Sequence, residues 1–389
     1  MALPVTFKHS IAAMACAIPL LLSTPVSAGW DEGYAAYHSE NYAVALKHFE
    51  PLAAQGDAKS QFQLGIMYDH GRGVPKDAEK AAAWYLKAAE QGYADAQVNI
   101  GMMYDRGEGV PVDHEKALLW TRRAAEQGAV TAQFNLGVTY QTGEGVPAPD
   151  PQQAVAWYTK AAEQGHAGAQ SNLGVMYDDG KQIPENPERA AFWFRKAADQ
   201  GLKQAQTNLG KLYDEGRGVD ENAEEAVKWY RLGAEQGDDV GQYNLALMYA
   251  DGRGVPKDIK TSVMWMRRSG DNGNVDAQFN MGAVYQNGMG VDKDPKAAAA
   301  WFQKAAEAGD SGALMQLSRA YAGGNGVPKD PVRAYMLLDV LQAVDPEAED
   351  LAAERVKRVT FLNPAQIEQA KTLAQRVVSR DIGLEAALR

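Results

Sequence analysis

Apolar residues recur along this chain at helical spacing within short segments, and the segments themselves recur every 36 residues. Leu64, Ile100, Leu136, Leu173, Leu209, Leu245, Met281 and Leu317 mark eight copies of one unit, with a single extra residue between the third and fourth. A Tyr follows four residues later in each copy: Tyr68, Tyr104, Tyr140, Tyr177, Tyr213, Tyr249, Tyr285 and Tyr321. Seven copies then place a Trp in register, at Trp84, Trp120, Trp157, Trp193, Trp229, Trp265 and Trp301. A unit of this length cannot bury its own apolar face and must stack on its neighbours. Function should therefore be sought in a surface that the units share.

Within the unit from Asp57 to Gly92, the residues Phe62, Leu64, Ile66, Met67 and Tyr68 predict a first helix over Lys59 to His70, with Gly65 small enough to admit a close neighbour. Gly71 stops it, and Gly71-Arg72-Gly73-Val74-Pro75 reads as a tight loop. The chain restarts at an Asp or Asn in all eight units: Asp77, Asp113, Asp150, Asn186, Asn222, Asp258, Asp294 and Asp330. A side-chain oxygen there can accept from the free amides of the next helix's first turn, worth about 1 kcal/mol. Pro151, Pro187, Pro295 and Pro331 follow directly, at the one helical position where proline costs nothing. The second helix should run from Ala78 to about Gln91, with Ala81, Trp84, Tyr85 and Ala88 on one side.

Two helices per unit, with motifs such as Ala96-Gln97-Val98-Asn99-Ile100-Gly101-Met102-Met103-Tyr104, Gly107-Glu108-Gly109-Val110-Pro111 and Ala124-Ala125-Glu126-Gln127-Gly128, resemble the Sel-one-like repeats, a branch of the tetratricopeptide-type helical repeats. The resemblance covers roughly residues 57–345 and implies a right-handed α-solenoid of about eight 36-residue helix-loop-helix repeats. Departures are local: Gly180-Lys181-Gln182 replaces Gly-x-Gly in the fourth unit, Ala246 and Ser318 stand where Gly65 does, and Leu337 takes the Trp position in the last unit. End repeats need caps. Residues 29–56 read as a half-repeat cap whose lone second helix spans Asn41 to Gln55. Pro346 to Val359 and Pro364 to Arg380 read as two capping helices within 346–389, the latter amphipathic through Ile367, Ala370, Leu373, Ala374 and Val377.

Residues 1–28 have the three parts of a secretory signal: Lys8, the apolar run Ile11 to Leu22, and the small-residue exit Val26-Ser27-Ala28. Cleavage near Ala28 would yield a periplasmic or secreted protein. The one cysteine, Cys16, would leave with the leader, so the exported chain could form no disulfide; the alternative is that Cys16 is a lipid-attachment point. Without the leader the chain has 38 basic and 50 acidic side chains, a balance of −12. That balance disfavours nucleic acid and suits a partner with a basic segment. No later stretch reaches the ~20 apolar residues of a membrane span.

Catalytic chemistry has little support. His9, His38, His48, His70, His114 and His166 form no metal-ligand spacing, so no metal and no cofactor is expected, and a capping or solvated role is the alternative. The Gly-x-Gly loops follow helices rather than strands, which makes turn geometry, not phosphate binding, their expected use. Cysteine-rich members of the family have been linked to penicillin binding or hydrolysis. This chain lacks their paired cysteines, and has no Ser-x-x-Lys, Lys-Thr-Gly or Gly-x-Ser-x-Gly. The Trp row is expected to pack between units rather than to form a binding ladder.

Similarity to tetratricopeptide arrays implies that first helices line the concave face. The position before the Leu-Gly pair reads Asn99, Asn135, Asn172, Asn208, Asn244 and Asn280, with Gln63 and Gln316 at the ends. Such a row can bond an extended peptide's backbone, or it can bond locally between repeats. One residue earlier, Phe62, Phe134, Tyr243 and Phe279 are candidate anchors among Val98, Ser171, Thr207 and Met315. Asp69, Asp105, Asp178, Asp179, Asp214, Glu215 and Asp251 would give the groove an acidic rim, with solvated helix ends as the alternative. These features predict a non-catalytic adaptor for an envelope or secreted protein. A cell-wall or glycan-binding module is the second reading, and a β-lactam hydrolase the third.

Overall fold

The computed structural model describes residues 26–348 and 350–389. The expected leader falls almost wholly outside them. The described residues contain helices and no strand, in two compact units. In the first unit, residues 26–136 with 145–147, three hairpins follow in order: α1 (Val26–His38) with α2 (Tyr42–Ala54), α3 (Ala58–His70) with α4 (Ala78–Glu90), and α5 (Ala94–Arg106) with α6 (His114–Glu126). The division falls inside α7 (Val130–Thr142), whose last turns pack with α8 (Pro151–Glu163) in the second unit, residues 137–144 with 148–389. There α9 (Ala167–Asp179) pairs with α10 (Pro187–Asp199), α11 (Lys203–Glu215) with α12 (Ala223–Glu235), and α13 (Asp239–Asp251) with α14 (Ile259–Asp271). Next come α15 (Val275–Asn287) with α16 (Pro295–Glu307) and α17 (Ser311–Gly323) with α18 (Pro331–Val344). The fold is an α-solenoid. Up to α18, odd-numbered helices are the first helices of their hairpins and even-numbered ones the second.

All eight restart residues cap their helices as their chemistry predicts. The side chains of Asp77, Asp113, Asp150, Asn186, Asn222, Asp258, Asp294 and Asp330 each accept from an amide in the following turn. Their own amides donate to the carbonyl of the repeat's Tyr, from Asp77 to Tyr68 at 2.9 Å through Asp330 to Tyr321 at 2.9 Å, which closes each hairpin loop. His166 does the same work for α9, accepting from the Ala169 amide through Nδ1, and burial keeps its pKa low.

Glycine fixes the packing at two kinds of contact. A Cβ on Gly65 or Gly174 would stand 2.5 Å from the ring of Tyr85 or Phe194, so an aromatic of the second helix lies on bare backbone of the first. In four loops the second glycine, Gly109, Gly218, Gly254 or Gly326, sits at positive φ against the first turn of the preceding repeat's second helix, where a Cβ would collide with a carbonyl oxygen. Turn geometry thus accounts for the Gly-x-Gly loops. Trp120, Trp193, Trp229, Trp265 and Trp301 are buried, and Trp84 packs half-buried on the core formed by Leu64 of its own repeat and Phe49 of the preceding hairpin. Lys87, Arg123, Lys160, Arg268 and Lys304, one helical turn after Trp84, Trp120, Trp157, Trp265 and Trp301, lie over their rings at 3.7–4.8 Å.

Neighbouring hairpins are also stitched by buried carboxamides that the sequence reading missed. Gln61, Gln97, Gln133, Gln170, Gln206, Gln242 and Gln278 donate through Nε2 to a carbonyl near the end of the preceding second helix, Ala53, Ala89, Ala125, Ala162, Ala198, Ala234 and Gly270, at 2.9–3.2 Å. Those carbonyls are among the four that a helix terminus leaves without an internal partner. Five of these Gln side chains accept in turn from the amide 30 residues on: Gln91 to Gln61, Gln127 to Gln97, Gln200 to Gln170, Gln236 to Gln206 and Asn272 to Gln242. The ladder stops at Gln278. Ala308 occupies the next donor's position, and the Gln278 Oε1 is buried without a partner.

The expected half-repeat at the N-terminus is instead a full hairpin, which brings the number of hairpins to nine. Its connector, residues 39–41, is four residues shorter than 71–77, so Gly33 rather than Gly29 meets the ring of Phe49 and the 36-residue spacing is broken. At the other end α19 (Leu351–Val359) starts later than expected, because Pro346 lies in a turn and buried Leu351 anchors the helix. α20 (Pro364–Val378) buries Ala370 and Ala374 against the last hairpin, with Ile367, Leu373 and Val377 beside them, and a short α21 (Leu384–Leu388) follows.

Two measurements check these contacts. Ala308→Gln should supply the missing donor to Gln278 and raise the urea midpoint, by about 1 kcal/mol of stability. Gly128→Ala, where nothing lies within 4 Å of a new Cβ, should cost about 1 kcal/mol of backbone strain. Gly109→Ala should cost roughly 3 kcal/mol, since a collision with the Ala78 carbonyl is added to the same strain.

Candidate functional site

The first helices present a polar stripe whose members differ in how fully they are engaged. Asn99, Asn135, Asn172, Asn208, Asn244 and Asn280 are all half-buried. In the first unit Asn99 lies beside the buried Tyr85 phenol, and in the second Asn172 lies beside Tyr158, whose hydroxyl donates to Gln141 Oε1 at 2.8 Å. Asn280 donates to the Tyr243 hydroxyl at 3.1 Å. Asn135, Asn208 and Asn244 make no side-chain hydrogen bond among the described residues. Bonding between repeats is chiefly the task of the Gln ladder, so these three carboxamides remain available.

The aromatic positions face the seams between helices. Successive helical residues are about 100° apart, so a residue next to an outward Asn turns toward a neighbouring helix. Phe62 packs on Tyr85 and Tyr93 with ring centroids 5.7 and 5.0 Å away. Phe279 packs on Phe302 at 5.5 Å and against the bare backbone of Gly312. Tyr243 is engaged by Asn280, and Phe134 is half-buried like the other three. Val98, Ser171, Thr207 and Met315 in the same row are buried.

What faces outward beside the Asn row lies three residues after or four before it, a spacing that could have been read from the sequence. Val175 follows Asn172 by three and is 41% exposed; Val240 precedes Asn244 by four and is 46% exposed. In the second unit α11 touches both α9 and α13, so the stripe formed by Asn172, Val175, Asn208, Val240 and Asn244 is carried on adjoining helices.

The acidic positions divide by unit. In the second, Arg217 reaches back from its loop to Asp178 at 3.1 Å and to Glu185 at 2.6 Å, and Arg253 reaches Asp214 at 2.8 Å. Those carboxylates tie consecutive repeats together. In the first, Asp105 is exposed and meets His114 at 3.0 Å, Asp69 lies beside His70, and the loop position of Arg217 and Arg253 is occupied by Arg72, which donates to the Tyr37 hydroxyl rather than to a carboxylate, and by Glu108, 3.9 Å from Arg106. An acidic edge therefore survives in the first unit and is largely neutralised in the second.

The Sel1 repeat model matches nine consecutive segments: 32–57, 58–93, 94–128, 130–166, 167–202, 203–238, 240–274, 275–310 and 311–339. The chain belongs to the Sel1 repeat family. Its first matched segment, 32–57, covers the second half of α1 and all of α2. Among solved structures, this Sel1 repeat chain is similar to a Sel1 repeat protein from Oxalobacter formigenes, at 34% identity over 81% of this chain and 90% of that one, with a TM-score of 0.67. It is also similar to a protective antigen of uropathogenic Escherichia coli strains displaying an SLR fold, at 32% identity over 93% of both chains, with a TM-score of 0.52. No curated protein matches it.

The Asn172 contact has a pH signature. Burial pushes the Tyr158 phenol up to about 12, opposed by the Asn172 side chain beside it. The folded array therefore keeps a neutral phenol over a range in which the unfolded chain, near 10, has begun to ionise. The resulting stability is complete below about pH 10 and should fall as pH rises toward about 12. Urea midpoints of the native chain and Tyr158→Phe should differ by a constant amount below pH 10, with the native chain losing ground above it.

Proposed function

We propose that this protein is a non-catalytic adaptor that holds a polypeptide segment of another exported protein on its first-helix face. Sel1-repeat proteins are protein-interaction scaffolds, which supports the general reading. The observation that carries the specific one is the stripe in the second unit. Asn208 and Asn244 offer carboxamides without a partner, and exposed Val175 and Val240 lie beside the same row. A carboxamide both donates and accepts, so it can match an extended backbone whatever the partner's side chains, while the valines reward an apolar one. The acidic edge of the first unit, Asp69, Asp105 and Glu108, favours a basic stretch in the partner and faster association at low salt.

The leader-like residues 1–28 support a periplasmic or secreted location, with envelope signalling or assembly as the setting. Glycan binding has less support, since Phe62 and Phe279 spend ring surface on neighbouring rings rather than offering it for stacking.

Affinity capture from periplasm tests the proposal. The native chain should retain a defined protein that Asn208→Ala/Asn244→Ala/Val240→Asp retains at least tenfold less, with unchanged helical circular dichroism, as loss of a small hot spot predicts. Equal retention by the variant would refute the assignment of this face, and retention of peptidoglycan fragments alone would favour the glycan reading.

A further inference from the structure

The end of the second unit carries an open pocket of about 580 Å³ between α18, α19 and α20, within the range of small-molecule sites, about 300–1,000 Å³. Ala343, Ala374 and Val378 give it apolar surface. Two lining groups of opposite charge have bonding capacity to spare. Asp339 gives one carboxylate oxygen to the Arg355 guanidinium at 2.7 Å, while its other oxygen is buried and has no hydrogen-bond partner. Burial pushes this carboxyl's pKa up, against the pull of Arg355 and Lys371. Lys371 is exposed at the rim and takes no part in the ion pairs that hold α19, which link Arg319 to Asp350 and Glu354, Arg355 to Asp339, and Arg358 to Glu354.

Neither group is satisfied by the other in this structure, and a single ligand carrying both charges would satisfy both. The surroundings do not oppose an anion: residues 346–389 carry seven basic and seven acidic side chains, so the chain's negative balance resides in the repeats. We propose that this pocket binds a free α-amino acid with a small apolar side chain. Its ammonium group donates to Asp339, its carboxylate accepts from Lys371, and its side chain rests on Ala343, Ala374 and Val378. A carboxylate with one acceptor position already on Arg355 keeps others for a second donor, reached by a small rotation of the Asp339 side chain. This site is separate from the first-helix stripe and does not depend on it.

Isothermal titration of the full chain with L-valine tests the proposal, with valinamide, which lacks the carboxylate, and 3-methylbutanoate, which lacks the ammonium, as controls. Valine should bind saturably, and each control at least tenfold more weakly. Lys371→Gln should weaken valine at least tenfold with little change in melting temperature, because Lys371 is exposed and outside the ion pairs that hold α19. Val378→Trp should fill the pocket and abolish binding while leaving both charged groups in place. Binding of either control as strong as that of valine would overturn the proposal. So would indifference to Lys371→Gln or Val378→Trp, or the absence of saturable heat at millimolar valine.

Discussion

An aromatic ring resting on a backbone that has no Cβ is the contact that closes six of the nine hairpins; in α5–α6 Gly101 faces Thr121 instead. Tyr85 on Gly65, Tyr158 on Gly137, Phe194 on Gly174, Tyr230 on Gly210 and Phe302 on Gly282 bring two helices closer than any other residue pair would allow. Where the glycine is lost, the ring is lost as well: Ala246 stands in register with Met266, and Ser318 with Leu338. Large and small thus compensate across the interface, as close packing requires. Once that distance is set, the caps, loop glycines and Trp positions fall into the same relation in repeat after repeat.

Much of this was legible in the sequence because each signal is local and repeated eight times. An Asp or Asn before a helix and a Gly after one report backbone geometry within a few residues, and all eight caps are formed. The first hairpin was missed for the converse reason: a connector four residues shorter moves its glycine out of register, although the contact with Phe49 is of the same kind. The Gln ladder escaped because glutamine at a helical position has no distinctive propensity, and its meaning lies in a partner 30 residues away. At the candidate surface, the Asn row was read directly. Its better neighbours, Val175 and Val240, were passed over for aromatics that turn into the seams.

The charged residues show how one position can serve two ends. At the middle residue of the loop, Arg217 and Arg253 bind the preceding repeat's carboxylates and spend their charge on holding the second unit together. In the first unit the same position holds Arg72, which donates to the Tyr37 hydroxyl, and Glu108, so no loop arginine takes up Asp69 or Asp105. A single loop residue therefore decides whether a repeat's carboxylates are structural or open to solvent, with no change in the helices that carry them.

The carboxamide ladder also has a direction, and with it a rule for growth. Each Gln donates toward the N-terminus and five of the seven accept from the C-terminal side, so a duplicated 36-residue module spliced in among those five would find both connections waiting. Beyond Gln278 the places of the next amides are held by Ala308 and Leu314, and a module added there would meet hydrocarbon instead. Copy number can therefore drift by recombination in the interior, while the chain's C-terminal boundary stays chemically closed.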